Sequence, residues 1–254
     1  MNIVCWSGGK DSTATIILAH ILGIHIDYII FAEVMFSKTI SGENPRHIDF
    51  IMNKAKPLFE SWGYKVVIVR SEKTYLDHFH HIIENPRKHL EHKGMQSGFA
   101  VPGFCGIKRD LKIKPIEQFL KNLNEPYTKY VGICSDEKAR LKSLHRIHEV
   151  SLLNQHGYTE KMSRKLCQEY DLLSPTYELS KRGGCWMCPW AKEEEHRAIL
   201  ELYPDAWAEF VDLENESNVA NYKWNVYAKK TLKEIDENIR TFKQISIFDI
   251  YPSS

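Results

Sequence analysis

The chain opens with an unbroken apolar run, Ile3-Val4-Cys5-Trp6, passes through a polar, glycine-bearing turn, and then carries apolar residues at helical spacing from 13 to 22. A strand leading into a helix is the expected result. The alternation recurs: residues 27–34 form a strand rich in Ile and aromatics, a loop runs to Glu43, and a helix follows over 45–62, with Pro45 suited to its first turn. Residues 65–69 are continuous in Val and Ile, as central parallel strands are, and residues 75–83 read as helix. Pro86, Gly94, Gly98, Pro102, Gly103 and Gly106 punctuate 85–106, which predicts a loop or lid. A helix over 114–123, a strand over 127–133, and a helix from the N-cap candidate Ser135 to about 150 complete the series.

This rhythm predicts an α/β fold of Rossmann-like type, an open, doubly wound parallel sheet with ligands at the carboxyl ends of its strands. Beyond residue 152 the alternation stops. Residues 159–170 are expected as a helix capped by Thr159, 174–190 as irregular, and 191–214 as one or two helices split at Pro204. The tail 241–254, with Ile245, Ile247, Phe248, Ile250 and Tyr251, reads as a strand or packing arm. The expected organisation is therefore an α/β domain over 1–151 and a mainly helical, cysteine-bearing C-terminal extension over 152–254. No Gly/Ser/Pro-rich linker separates the two, so the extension should pack on the first domain.

Composition narrows the classes. A chain of 254 residues with 43% hydrophobic content can build a large core. Its apolar runs fall short of the roughly 18 residues of a membrane span, and its first residues enter a strand directly, so a cytoplasmic location without membrane insertion is expected. Six cysteines then point to reduced thiols, metal ligation or catalysis and not to a disulfide framework. A net charge of +1 gives no overall indication of a nucleic-acid partner. Locally, residues 86–114 carry Arg87, Lys88, Lys93, Lys108, Arg109, Lys112 and Lys114 against Glu91 and Asp110, which makes either a solvated face or a guide for an anionic substrate. His78, His80, His81, His89 and His92 complete no recognised metal pattern and are expected as surface or lid histidines.

The first turn carries the strongest chemical signal. In Ser7-Gly8-Gly9-Lys10-Asp11-Ser12 the glycines let successive N–H groups converge on an anion, the serines add hydroxyl donors, Lys10 adds charge, and the new helix adds its positive end. The spacing is neither that of Walker NTPases nor that of dinucleotide folds. The hexad resembles the PP-loop of the ATP pyrophosphatase and adenine nucleotide alpha-hydrolase superfamily. Its lysine-bearing form is most similar to the phosphoadenosine phosphosulfate reductase branch.

A second signal is Gly183-Gly184-Cys185-Trp186-Met187-Cys188-Pro189, in which two thiols share one short loop and can bind one metal. Cys105 and Cys167 are the candidates for further ligands, whereas Cys5 and Cys134 sit in strands and read as small buried hydrophobes. Trp186, Met187 and Trp190 would surround the site with apolar groups. Cluster-bearing sulfonucleotide reductases hold a [4Fe-4S] cluster with paired cysteines ahead of a basic, proline-containing segment and a later Cys-x-x-Cys. Lys112-Ile113-Lys114-Pro115-Ile116 is similar to the tail of that segment, and Cys105 stands where the paired cysteines would be. The resemblance thus implies a metal set of Cys105, Cys167, Cys185 and Cys188. It favours [4Fe-4S]; structural Zn2+ and a redox dithiol stay open.

A third patch, residues 132–140, resembles a strand-end block of the same family that faces the substrate, with Cys134 standing where an Arg would. Gly132 joins the nucleotide contacts. Asp136 and Glu137 are either helix-capping carboxylates or contacts to substrate or Mg2+, and the Arg140 guanidinium suits a tetrahedral oxyanion. The resemblance implies an enzyme that binds ATP or a related adenylyl nucleotide through Ser7, Gly8, Gly9, Lys10, Asp11, Ser12 and Gly132 and acts at or next to the α-phosphate. Adenylation of an acceptor with pyrophosphate release, often ahead of sulfur transfer, is the usual form, with Mg2+ present. Lys10, Asp11 and Arg140 are the catalytic candidates, and Lys108, Arg109, Lys112, Asp136 and Glu137 the candidate substrate contacts. Two alternatives remain. Sulfonucleotide reduction would need Cys105 or Cys134 as nucleophile, because no cysteine follows Cys188. A non-catalytic module binding a nucleotide and a metal cluster needs none.

Overall fold

The computed structural model of the chain describes residues 1–101, 103, 105–144, 148–179, 184–225 and 230–250, with backbone alone over 242–250. In chain order come β1 (Asn2–Trp6), α1 (Lys10–Ile21), β2 (Tyr28–Glu33), α2 (Pro45–Asp49), a π-helical segment (Phe50–Ala55), α3 (Lys56–Ser61), β3 (Lys65–Arg70), α4 (Tyr75–Phe79) and β4 (Gln96–Gly98). A second π-helical segment (Lys108–Ile113) leads into α5 (Lys114–Leu123), β5 (Thr128–Tyr130), α6 (Lys138–Leu141), β6 (Glu149–Val150), α7 (Leu152–Gln155), α8 (Glu160–Glu169) and α9 (Thr176–Leu179). The remaining elements are α10 (Glu193–Leu202), α11 (Pro204–Asp212), β7 (Val219–Asn221) and α12 (Leu232–Ile250). Two compact units interleave along the chain: Met1–Glu33, Arg46–Ser71 and Lys112–Gly183 form the first, and Val34–Pro45, Glu72–Leu111 and Gly184–Ser254 the second. Among the described residues, no helix is long and apolar enough to cross a membrane.

The first unit is an α/β fold of Rossmann-like type, with a five-stranded, all-parallel sheet in the order β3-β2-β1-β5-β6. Side chains of a strand point alternately to its two faces, and both faces are covered here. Val4, Trp6, Ile29 and Phe31 join the core beneath α1, α7 and α8, whereas Ile3 and Ile30 join Leu120 of α5 in a second core. Helix α1 is buried at every residue from 12 to 19 and is tied to β1 by a hydrogen bond from Trp6 Nε1 to Thr13 Oγ1, 2.9 Å. Strand order reverses at β1, with β2 and β3 added on one side and β5 and β6 on the other. Its carboxyl end is therefore the switch point at which α/β sheets leave a crevice.

Two expectations change in this unit. The helix expected from 135 to about 150 shrinks to α6, because the chain returns to the sheet edge: Lys129 N donates to His148 O (2.6 Å) and Val131 N to Val150 O (2.9 Å). Residues 145–147 of that expected helix lie outside the described residues. The boundary expected near 151 falls inside the unit, since Leu152, Leu153, Leu166, Cys167 and Leu172 share one core with α1.

The second unit is built on an aromatic core that includes Phe36, Tyr75, Phe79, Phe99, Trp186, Trp207, Phe210 and Trp224. Residues 85–106, expected as a loop, contain β4, which pairs in parallel with β7 through Gln96↔Val219 and Gly98↔Asn221. The tail is a correction of a different kind. Ile245, Ile247, Phe248 and Ile250 belong to α12, a helix begun by Leu232, Ile235 and Ile239, which are buried at helical spacing. Tyr251 and the residues after it lie outside the described residues.

Candidate functional site

The Ser7–Ser12 turn joins the carboxyl end of β1, the central strand, to the N-terminus of α1. Gly8 adopts φ 71°, and a Cβ there would stand 2.5 Å from His47 Cε1, so both backbone and space require glycine. The turn's donors face one another and one neighbour: Ser7 N donates to Ser12 Oγ (3.1 Å), Gly9 N to Ser7 Oγ (3.4 Å), and Lys10 N to Tyr177 Oη (2.9 Å). His47 braces the turn from outside. The Ser7 carbonyl can only accept, so His47 Nε2 carries a proton and donates at 3.0 Å, while Nδ1 lies 2.7 Å from Ser174 Oγ.

Lys10 Nζ lies 2.8 Å from both Asp11 oxygens and 3.0 Å from Glu160 Oε2. Burial works against its charge, but these carboxylates prevail and hold Lys10 above its ordinary range. Gly132, just past β5, stands directly behind the turn: a Cβ there would lie 2.5 Å from Ser12 N and 2.7 Å from Asp11 C. Beyond it, Cys134 Sγ approaches Asp11 Oδ1 (3.1 Å) and Ser163 Oγ (3.3 Å), and Cys134 N donates to Glu137 Oε2 (2.9 Å). Ligand atoms of Asp11, Cys134 and Glu137 all lie within 4.8 Å of one another. Arg140 Nη1 donates to Glu137 Oε1 at 2.5 Å, which brings this expected residue to the same group through Glu137.

Other expected residues are employed differently. Asp136 accepts from Glu160 N (3.1 Å), at the start of α8 and not of the helix after Ser135 for which a capping role is considered. Lys108 and Arg109 are exposed in the second unit, with Arg109 bound to Asp110 (2.5 Å), while Lys112 belongs to the first unit. His89, Glu91 and His92 offer ligand atoms within 4.8 Å of one another, mostly at the solvent surface.

The cysteines divide between the units. Cys105, Cys185 and Cys188 belong to the second unit and Cys167 to the first. Expected as the fourth ligand, Cys167 is instead buried on the inner side of α8, with its thiol donating to Lys10 O at 3.1 Å. Trp186 and Met187 are buried as anticipated, whereas Trp190 is 54% exposed; Gly183 and Phe104 lie outside the described residues.

Burial pushes the Cys134 and Cys167 thiols up to about 12, and the Asp11 charge reinforces this at both. Thiols held protonated in this way stabilise the fold fully below about pH 8.5, where an unfolded thiol ionises, and progressively less as pH rises toward about 12. Iodoacetamide at pH 8 is therefore expected to modify the exposed Cys105 of metal-free protein and to spare Cys134 and Cys167 until the chain unfolds. Peptide mapping reads the outcome, and equal rates at Cys105 and Cys134 would contradict it.

The sequence carries no pattern that marks Tyr177 or His47 as neighbours of the turn or Ser163 as a neighbour of Cys134, and only a partial one for Glu160, the first residue after the cap Thr159.

No family model matches the chain. Two uncharacterized proteins of Methanocaldococcus jannaschii are similar to it: one is 25% identical, covering 92% of this chain and 54% of that protein. The other is 22% identical, covering 84% of this chain and 41% of that protein. The chain thus spans about half the length of the curated relatives it matches.

Proposed function

We propose that the chain is an enzyme that binds ATP or a related adenylyl nucleotide at the Ser7–Ser12 turn and transfers its adenylyl group to an acceptor, releasing pyrophosphate. The observation that carries this reading is Lys10, held charged between Asp11 and Glu160 at the N-terminus of α1, beside converging N–H and hydroxyl donors at the carboxyl end of the central strand. In this reading the Gly9 and Lys10 N–H groups exchange Ser7 Oγ and Tyr177 Oη for phosphate oxygens. An oxygen of the acceptor bonds to the α-phosphorus as the bond to the pyrophosphate oxygen breaks, and Lys10 stabilises the charge that gathers on the leaving group. In a site shielded from water that stabilisation exceeds what the same charge gives in solution.

The carboxylates of Asp11 and Glu137 are hard oxygen donors suited to Mg2+ brought in with the nucleotide, where the ion would offset phosphate charge; the Cys134 sulfur is too soft to share it. Arg140, anchored by Glu137, is in a position to meet an anionic acceptor. Sulfonucleotide reduction is the weaker reading, because it needs a thiolate at the nucleotide: Cys134, the candidate beside the turn, has its thiol pushed up by burial, and Cys105, the other candidate, belongs to the second unit. The test is incubation with ATP, Mg2+ and a panel of carboxylate, amide and thiolated acceptors. Pyrophosphate release matched by labelled adenylyl-acceptor or AMP is expected. Sulfite release from phosphoadenosine phosphosulfate would replace the reading with the reductase, and nucleotide binding without turnover would replace it with a non-catalytic module.

A further inference from the structure

In the second unit, the chain between His81 and Gln96 closes into a turn whose base is clamped on both sides. Ile83 N donates to Met95 O and Gly94 N to Ile83 O, each at 2.9 Å, Ile82 bridges Gln96 in antiparallel fashion, and Asn218 Nδ2 donates to Gly94 O at 3.1 Å. Gly94 takes φ 82°, a left-handed conformation that glycine adopts without strain. Strand β4 then continues the clamp by pairing with β7. The tip of the turn is thereby fixed at its base, while His89 and Glu91 stand exposed and His92 half-buried.

That tip is a single 3-10 turn, Leu90–His92, entered from His89 and closed by His92 N to His89 O (3.0 Å) and Lys93 N to Leu90 O (3.2 Å). With three residues per turn, side chains at i and i+3 eclipse. His89 and His92 are such a pair, with rings 5.1 Å apart and within 24° of parallel. Glu91 adds a carboxylate on the same side, its Oε1 3.1 Å from His89 Nδ1. One ligand atom from each of the three residues lies within 4.8 Å of the other two. The spacing matches no familiar motif for a physical reason: histidines four apart meet on an α-helix, whereas a 3-10 turn brings together histidines three apart.

We propose that His89, Glu91 and His92 bind one divalent ion of the Zn2+ class, with the fourth position open to water, and that the bound ion fixes the tip of the turn. Two imidazole nitrogens and one carboxylate oxygen are a three-ligand set for zinc. A neutral imidazole always presents one unprotonated nitrogen, and a tautomer shift that moves the His89 proton to Nε2 leaves Nδ1 free to take the ion beside Glu91. Surrounding charge selects among ions. Arg87, Lys88 and Lys93 flank the ligands and are exposed, so the single carboxylate is outnumbered, and Mg2+ or Ca2+, which rely on oxygen ligands and collected negative charge, are disfavoured. Imidazole nitrogens suit Zn2+, Ni2+ and Cu2+ instead. The site uses no residue of the nucleotide turn and no cysteine, so it goes beyond the nucleotide reading and does not rest on it.

The test uses the full chain stripped of metal by chelation, with Zn2+ as the probe in calorimetric titration and circular dichroism as the folding control. His89→Ala and His92→Ala should each weaken one Zn2+ site per chain by at least about 100-fold, more than the loss of an outer hydrogen-bond partner costs, and Glu91→Gln by about 10-fold. Leu90→Ala, at a side chain 73% exposed between the ligands, should leave the site unchanged. The Cys185→Ser/Cys188→Ser double variant should keep it, which separates imidazole binding from binding to thiolates, and Mg2+ in large excess should not compete. Tryptic cleavage after Lys88 and Lys93 reads the turn itself: Zn2+ should slow it in wild type and not in His92→Ala. Equal Zn2+ binding in wild type and both histidine variants, loss of the site in Leu90→Ala or in the cysteine variant, displacement by Mg2+, one ion shared between two chains, or cleavage that Zn2+ leaves unchanged would overturn the proposal.

Discussion

Replacing Lys10 with methionine is expected to lower the rate of pyrophosphate release from ATP by about 10³-fold while the chain stays folded. That factor is at the upper end of what one preorganised donor contributes to charge stabilisation in a transition state. Two effects add here. The ammonium that faces the departing pyrophosphate is lost, and Asp11 and Glu160, each within 3.0 Å of it, are left as uncompensated negative charges beside a polyphosphate. Lys10→Arg keeps the charge but spreads it over a planar fork that does not match a site shaped for an ammonium, so an intermediate loss is expected. Steady-state kinetics of the three proteins, with circular dichroism as the folding control, measures this. A decrease under 10-fold in Lys10→Met would remove Lys10 from the chemistry.

Gly132→Ala is expected to destabilise the first unit by about 3 kcal/mol, the upper end of the usual cost of overpacking. The new methyl would stand 2.5 Å from Ser12 N and 2.8 Å from Ser12 Cα, atoms of the first turn of α1 that cannot swing aside as a side chain can. The contrast with Gly8 is informative, because the neighbours there are the His47 ring and Ile51 Cδ1, which have some freedom to rearrange. Relief in Gly132→Ala requires α1 to move away from β5, which also displaces the nucleotide turn. Urea unfolding should therefore show a lower midpoint, and ATP affinity should fall with it. A stability change under 1 kcal/mol would mean that this close approach is easily relaxed.

What could be read from the sequence was local. The anion turn is six contiguous residues between a strand pattern and a helix pattern, and the structure places it between β1 and α1. Its neighbours are distant in the chain: Tyr177 is 167 positions from Lys10 and Ser174 is 127 from His47, and no periodicity encodes such pairings. Strand β6 spans only Glu149–Val150, too short for an alternating pattern to register. In the tail, the apolar residues Ile245 and Ile247 suggest a strand or packing arm, while the helical spacing that excludes the strand starts upstream at Leu232. The two units exchange the chain at points such as Glu33 to Val34 and Leu111 to Lys112, where no glycine- or proline-rich linker marks a crossing. Cys167 shows the same limit, since its thiol spacing allowed metal ligation and its position on α8 commits it to Lys10 O.

The central claim is that residues 7–12 form a nucleotide site, and calorimetric titration of ATP into the full chain tests it most directly. The account predicts saturable binding of about one nucleotide per chain, weakened at least about 100-fold in Gly9→Val and in the Ser7→Ala/Lys10→Ala double variant, since these remove the close backbone approach and the charge-assisted donors. Gly9→Val acts on a position where a Cβ already stands 3.2 Å from Tyr177 Oη and 3.3 Å from Ser7 Oγ. No heat of binding in the folded wild-type chain, or equal affinity in wild type and both variants, would contradict it.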